Sequence, residues 1–155
     1  MEIERSTAAG THATAATMRA AVHDRYGPPS VVTISEVCRP RPGRGEVLVQ
    51  VKAASVHPGD YFVMTGEPYV ARLAFGLRRP RRGIRGMDCA GVVTEVGRDV
   101  AGFRVGDEVF GWAGAGALAE FVCVSASNLA AIPATVSMAA AAATPVTADT
   151  TRINA

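Results

Sequence analysis

The segment around His57 holds the side chains best suited to acid–base chemistry. It reads HPGDY, from His57 to Tyr61. An imidazole gains or loses its proton near neutral pH, so His57 could hydrogen-bond a carbonyl oxygen or deliver a proton to it. The alternative is a hydrogen-bonded loop histidine that precedes a proline. Tyr61 could direct its phenol into a cleft, and we interpret Asp60 as a charge in the first turn of a short helix.

Five arginines close together form the second chemical feature. They lie in the segment LRRPRRGIRG and are Arg78, Arg79, Arg81, Arg82 and Arg85. Such a run can bind phosphates of nucleic acid or anionic lipid, or attract an anionic substrate or cofactor. No aromatic residues are interleaved and no nucleic-acid-binding fold accompanies the run, so we predict no nucleic-acid partner. We favour a solvated loop.

A glycine-rich stretch resembles a phosphate-binding turn, but its context excludes that role. Residues 114–119 read GAGALA, which matches the pattern G-x-G-x-x-A. In a dinucleotide-binding unit the pattern opens a helix, and an acidic residue follows about twenty positions later. Here a predicted strand at 120–124 follows instead. We therefore find no signature of a dinucleotide-binding domain within the 155 residues.

The three cysteines, Cys38, Cys89 and Cys123, are far apart and form no C-x-x-C pair. This spacing indicates neither a zinc knuckle nor a disulfide framework. Free thiols are typical of reducing compartments, so we predict a cytoplasmic protein.

Composition narrows the class of protein further. A chain of 155 residues, 48% hydrophobic and 19% charged with a net charge of +2, has the composition of one globular domain. It contains no apolar run of 18 residues, so we predict no membrane span. Residues 1–17 are small and polar and lack the features of a secretory signal. We predict a disordered tail there.

Short apolar runs separated by turn signals predict the elements that must position these side chains. Six strands are predicted, at residues 18–23, 31–37, 46–54, 90–96, 108–112 and 119–124. In the third strand Val47, Val49 and Val51 share one face and polar side chains share the other. Short helices are predicted at 58–64, 68–77 and 139–143, the last after Ser137 as N-cap. Many short strands favour a β-barrel or sandwich.

Five stretches in order resemble one family. They are residues 45–49, 54–60, 86–93, 96–109 and 116–122. Together they are similar to the N-terminal catalytic domain of medium-chain dehydrogenases/reductases, in the zinc-independent, quinone-oxidoreductase-like branch. The resemblance implies a mainly β (α+β) fold, namely a GroES-like, partly open β-barrel with a few short helices. It places this domain at residues 18–143 and the remnant of an inter-domain helix at 144–155, with the dinucleotide-binding domain absent from the chain.

The resemblance also implies which residues carry function. Zinc-dependent members hold zinc with Cys, His and Glu at positions that match His57, Met87 and Asp88. Methionine is a poor zinc ligand, so we predict no metal site. In zinc-independent relatives the position of His57 often holds Asn and lines the pocket beside the nicotinamide. His57 and Tyr61 are thus the predicted catalytic residues, and Thr150 is the predicted contact to the nicotinamide of NADPH.

These observations support two hypotheses of different classes. In the first, the domain belongs to an NAD(P)H-dependent reductase of small quinones, enones or related carbonyl compounds. We expect very weak activity or none from the 155 residues alone, because they lack a phosphate-binding fingerprint. In the second, the chain is a non-catalytic GroES-like interaction module or a truncated gene product. The sequence leaves the oligomeric state open.

Overall fold

A computed structural model describes residues 16–80 and 83–144, and two antiparallel sheets form the framework of this part of the chain. The strands are β1 Thr17–Val22, β2 Thr33–Cys38, β3 Glu46–Ala54, β4 Asp88–Val96, β5 Glu108–Trp112, β6 Phe121–Ser125 and β7 Leu129–Ala131. The helices are α1 Pro58–Thr65, α2 Arg72–Phe75 and α3 Met138–Ala142. Single 3-10 turns occupy Pro29–Val31, Tyr69–Ala71 and Ala126–Asn128.

The main sheet has five strands in the order β6-β3-β4-β5-β7, and all neighbours are antiparallel. Strands β1 and β2 form a separate two-stranded sheet. Two isolated bridges join β1 to the rest of the domain, one between Ala20 and Ala119 and one between Val22 and Ile84. The strands of the described residues therefore form a partly open, mainly β domain rather than a closed barrel.

The core lies on the strands at the centre of the main sheet. Val47 and Val49 of β3 pack with Val93 of β4 and Val109 of β5, and all four are fully buried. Leu48 points to the opposite face of β3 and is fully buried as well. The predicted polar second face of this strand is therefore wrong at Leu48, because β3 is covered on both sides there.

Gly91 permits a close approach of β4 to β3. A Cβ atom at this position would lie 2.1 Å from the carbonyl oxygen of Gln50, which is far inside contact distance. The register of the two strands shifts nearby, between Val51 and Ala53. Glycine in a strand interior often marks such a site.

All six predicted strands occur in the predicted order, and the observed elements differ from the predicted ones in three ways. Strand β6 begins at Phe121, two residues later than predicted, and the short strand β7 was not predicted. The segment predicted as one helix at 68–77 is a 3-10 turn followed by the four-residue helix α2. Helix α3 is capped by the Ser137 hydroxyl, which accepts a hydrogen bond from the Ala140 N–H at 3.2 Å.

Candidate functional site

His57 is the N-cap residue of α1, and its ring takes part in the cap. Its Nδ1 accepts a hydrogen bond from the Gly59 backbone N–H at 2.9 Å. Pro58 occupies the first helical position, where its missing N–H is no loss. Because Nδ1 serves as the acceptor, the neutral ring must carry its proton on Nε2. His57 is thus a hydrogen-bonded residue that precedes a proline, and its second nitrogen is left as a donor.

That donor has no partner of its own. The Nε2 atom of His57 is buried and forms no hydrogen bond within residues 16–80 and 83–144. A buried N–H group without an acceptor is costly, and such groups are uncommon in folded proteins. An incoming oxygen acceptor, such as a carbonyl, would satisfy it once the covering atoms move aside.

The Asp60 carboxylate fixes the backbone of His57 by a hydrogen bond. Its Oδ2 accepts the His57 backbone N–H at 3.2 Å, which completes a capping box. Its Oδ1 accepts the Gly86 N–H at 3.1 Å, and the residue is only 4% exposed. Asp60 is therefore in the first turn of α1, as predicted, and it also links that turn to the segment before β4.

A second pair of contacts holds the same two segments together. The Ser55 hydroxyl donates to Oδ2 of Asp88 at 3.2 Å, and the Ser55 N–H donates to the Asp88 carbonyl at 3.4 Å. Asp88 is 2% exposed and opens β4. The loop that carries His57 is thus attached at two points to the start of β4, the central strand of the main sheet.

Tyr61 lies one helical turn beyond His57 on α1. The residue is 52% exposed, and its ring makes an edge-to-face contact with Phe62, with ring centroids 6.2 Å apart. The structure thus places both predicted catalytic side chains on the first turns of one helix. Thr150, the predicted nicotinamide contact, lies outside the described residues.

Helix α1 begins a surface region that is rich in exposed apolar side chains. We call this region the apolar cap and define it as Val56, Tyr61, Phe62, Tyr69, Val70, Leu73 and Leu77. The Arg72 guanidinium lies over the rings of Tyr26 and Tyr69, 4.5 and 4.6 Å from their centroids. It also donates to the carbonyl of Gly66 at 3.0 Å, at the end of α1. Arg72 thus ties the start of α2 to the end of α1.

Comparison with known proteins identifies the domain. The family described as the alcohol dehydrogenase GroES-like domain matches residues 43–134. The chain belongs to this family. Its resemblance to the quinone-oxidoreductase-like branch of the medium-chain dehydrogenases/reductases is therefore confirmed.

Relatives of this GroES-like domain include several quinone oxidoreductases. The chain is 34% identical over 135 residues to the chloroplastic quinone-oxidoreductase QR1 of Triphysaria versicolor, which covers 83% of this chain and 39% of that protein. The quinone oxidoreductase of Coxiella burnetii superposes with a TM-score of 0.74 at 34% identity, over 84% of this chain and 41% of that one. The Escherichia coli quinone oxidoreductase complexed with NADPH superposes with a TM-score of 0.68 at 26% identity, over 83% of this chain and 37% of that one.

The GroES-like chain thus spans about two fifths of the length of these relatives. The greater part of each of these relatives has no matching segment in this chain.

The positions that match the zinc ligands of the family offer a poor donor set. Met87 cannot supply the charged or imidazole donor that zinc prefers, and Nδ1 of His57 already accepts a hydrogen bond. Within the described ranges, no three His, Cys, Asp or Glu side chains converge as a metal site would require. Independence of zinc remains a prediction.

The glycine-rich stretch is not a phosphate-binding turn. Gly114 and Gly116 have φ angles of 71° and 96°, so the chain does turn there. However, strand β6 follows rather than a helix, so no helix N-terminus faces a possible pyrophosphate. The predicted strand after this stretch is confirmed.

Two of the three cysteines are unsuited to nucleophilic chemistry. Burial, with a smaller effect from the Asp88 charge, raises the pKa of the Cys89 thiol to about 12. Burial also raises the pKa of Cys123 to about 11. Cys38 is exposed.

Among the helices that the structure describes, none combines the length and the hydropathy of a membrane-spanning segment.

Proposed function

We propose that this GroES-like domain forms the substrate side of an NAD(P)H-dependent, zinc-independent reductase of small quinones, enones or related carbonyl compounds. The family match and the quinone oxidoreductases among the relatives support the proposal. A relative of known structure was solved with NADPH, which supports a nicotinamide cofactor. The three free thiols are in keeping with a cytoplasmic enzyme.

The observation that carries the proposal is the Nε2–H group of His57. Reduction of a quinone or enone places negative charge on the carbonyl oxygen, and NADPH supplies the hydride when it is bound. A fixed N–H donor near that oxygen stabilises the developing charge and can deliver a proton. His57 has this donor on a defined nitrogen, without a competing acceptor among the described residues. Tyr61, on the same helix, is the second proposed donor.

The proposal assigns binding of the nicotinamide to other residues. Thr150 is the proposed contact, and residues 144–155 are proposed to lead toward the dinucleotide-binding part of such an enzyme. The described residues contain no phosphate-binding turn, so we expect the 155-residue chain alone to bind NADPH weakly and to turn over very slowly or not at all. A separate dinucleotide-binding domain would have to complete the reaction.

Binding of a quinone tests the substrate side without need of turnover. We expect 1,4-naphthoquinone to bind the purified chain and to quench the fluorescence of Trp112, the single tryptophan. We expect His57→Ala to weaken binding about tenfold, near the 1.4 kcal/mol expected for a lost hydrogen bond in a partly buried site. His57→Asn should retain more affinity than His57→Ala, because an amide also donates.

Arg44→Gln is the matched control, because Arg44 is exposed and pairs with Asp99 in a turn. It should bind the quinone as the unmodified chain does. Parallel calorimetry with NADPH should show little heat at millimolar concentrations. Equal quinone affinity in the His57→Ala and unmodified chains would contradict the proposed role of His57.

The second candidate is a non-catalytic module that binds another protein. The apolar cap favours it, because this stretch of the chain exposes seven large apolar side chains, and exposed apolar surface of this kind commonly marks an interaction site. Absence of quinone binding, combined with loss of a protein complex when Phe62 and Leu73 are changed to Ser, would favour this candidate over the reductase.

A further inference from the structure

We propose that Gly59 and Asp60 form a positioning pair whose task is to hold the His57 ring as an Nε2–H donor. The use of that donor on a substrate rests on the proposed function, whereas its placement is a property of this chain alone. Neither residue touches a substrate in this proposal, and both act through His57.

The His57 ring packs so closely against Gly59 that no side chain fits at this position. A Cβ atom there would lie 2.5 Å from Cε1 and 2.9 Å from Nδ1 of the His57 ring. Both distances are well below normal contact, so the ring would have to rotate away. The ring therefore lies directly on Gly59, whose N–H holds Nδ1 at 2.9 Å.

Backbone conformation does not explain the glycine. Gly59 does not have a positive φ angle, and it occupies the second position of α1. Alanine is a better helix former than glycine at such a position. The contact with the imidazole is thus the feature of the structure that alanine would disturb.

Asp60 completes the arrangement through the main chain. Its two carboxylate oxygens accept the N–H groups of His57 and Gly86, and the side chain is almost fully buried. The His57 backbone is therefore fixed relative to β4 while Gly59 fixes the ring. Together the two residues determine which nitrogen carries the proton and where that nitrogen lies.

Nuclear magnetic resonance of the two ring nitrogens tests this placement directly. The chain contains three histidines, so ¹⁵N-histidine labelling gives few signals, and single His→Gln changes assign them. At pH 8 the unmodified chain should show a protonated Nε2 and an unprotonated Nδ1 for His57. Gly59→Ala should move both signals toward the averaged values of mixed tautomers while its Tm stays equal or rises.

Asp60→Asn should shift the same signals, because one side-chain oxygen is replaced by a donor that faces a backbone N–H. The matched controls are Gly43→Ala and Asp107→Asn. A Cβ at Gly43 would meet the flexible Glu46 carboxylate at 3.2 Å, and Asp107 accepts the Arg104 N–H in an exposed turn. Both controls should leave the His57 signals unchanged.

The results separate three cases. Shifted His57 signals in a fully folded Gly59→Ala protein support the positioning pair, even if Asp60→Asn does not fold. Unchanged His57 signals in Gly59→Ala overturn it, as would equal shifts in the two controls. Signals that behave as expected, in a chain that binds no quinone, would retain the positioning pair and reject the proposed function.

Discussion

The β3–β4 strand pair and helix α1 lie next to each other at the site, but they differ in how far their side chains are buried and their polar groups are paired. In the strand pair, apolar side chains such as Val49 and Val93 are fully buried, and the backbone groups pair in a ladder. In α1, the Tyr61 and Phe62 rings are each about half exposed. The Nε2–H of His57 lacks a partner within the described residues. The strand pair is thus stabilised by burial and backbone pairing, whereas α1 exposes two aromatic rings and leaves a buried N–H without an acceptor among the described residues.

Two glycines, Gly91 in β4 and Gly59 in α1, show the same contrast between the strand pair and the helix. At Gly91 an added Cβ would strike the main chain of the neighbouring strand, whereas at Gly59 it would strike a side chain that can rotate. The first collision cannot be relieved without separating the strands. The second can be relieved by moving the imidazole. The comparison thus predicts a loss of fold in one case and a loss of placement in the other.

The largest effect is expected from Gly91→Ala. Its Cβ would lie 2.1 Å from the Gln50 carbonyl oxygen, so the central strands must move apart. We expect a loss of about 4 kcal/mol in the free energy of unfolding, or failure to fold. Urea unfolding followed by circular dichroism measures it, with Gly59→Ala as the matched substitution in α1. A Gly91→Ala protein as stable as the unmodified chain would remove the basis of the contrast.

A smaller difference is expected between two leucines. Leu48 is fully buried on β3, whereas Leu73 is 66% exposed in the apolar cap. Leu48→Ala should lower the free energy of unfolding by about 3 kcal/mol, through lost burial and a cavity. Leu73→Ala should change it by less than about 0.5 kcal/mol. Similar losses in both variants would show that the cap is part of the core.

His23 is expected to give a modest dependence of stability on pH. The residue is 3% exposed, and burial lowers its pKa, with a further lowering by Arg85 and an opposing effect of Asp24. The neutral, buried His23 ring therefore contributes its full share of folding stability at pH values above its unfolded pKa of about 6.5. This stability is lost as the pH falls toward the lower pKa of the folded chain. His23→Gln should lose stability less steeply than the unmodified chain between pH 7.5 and 5.5 in urea unfolding. Parallel curves would mean that His23 titrates as in the unfolded chain.

Thiol reactivity should separate the sheet from the surface without changing stability. Cys89 and Cys123 have pKa values of about 12 and 11, so almost no thiolate is present at pH 8. Iodoacetamide should therefore modify the exposed Cys38 first, as measured by mass spectrometry, and Cys38→Ser should abolish the rapid phase. Rapid modification of Cys89 in the folded protein would indicate that the centre of the sheet opens.

The sequence predicts the sheet better than the site. Alternating apolar residues mark β3, because one face of this strand packs into the core and burial therefore repeats at every second residue. Strand β7 escapes prediction because three residues, Leu129–Ala131, carry too little pattern. Burial of Leu48 depends on what covers the second face of β3, which no local pattern contains.

At the site, the residue types are visible in the sequence but their geometry is not. Pro58 and Asp60 are recognisable signals of a helix start, yet histidine is not among the preferred N-cap residues. The role of Gly59 appears only when the ring is seen to lie on it. The bond from Asp60 to Gly86 joins segments 26 residues apart, so it requires the folded chain.

The most direct test of the account observes the His57 Nε2–H while a quinone is added. With ¹⁵N-histidine-labelled protein and 1,4-naphthoquinone, we predict a saturable shift of the Nε2 signal of His57. The His23 signals should remain unchanged, because that ring is buried at a different site. Saturable binding by fluorescence without any change at His57 Nε2 would contradict the account, since the quinone would then bind without using the donor.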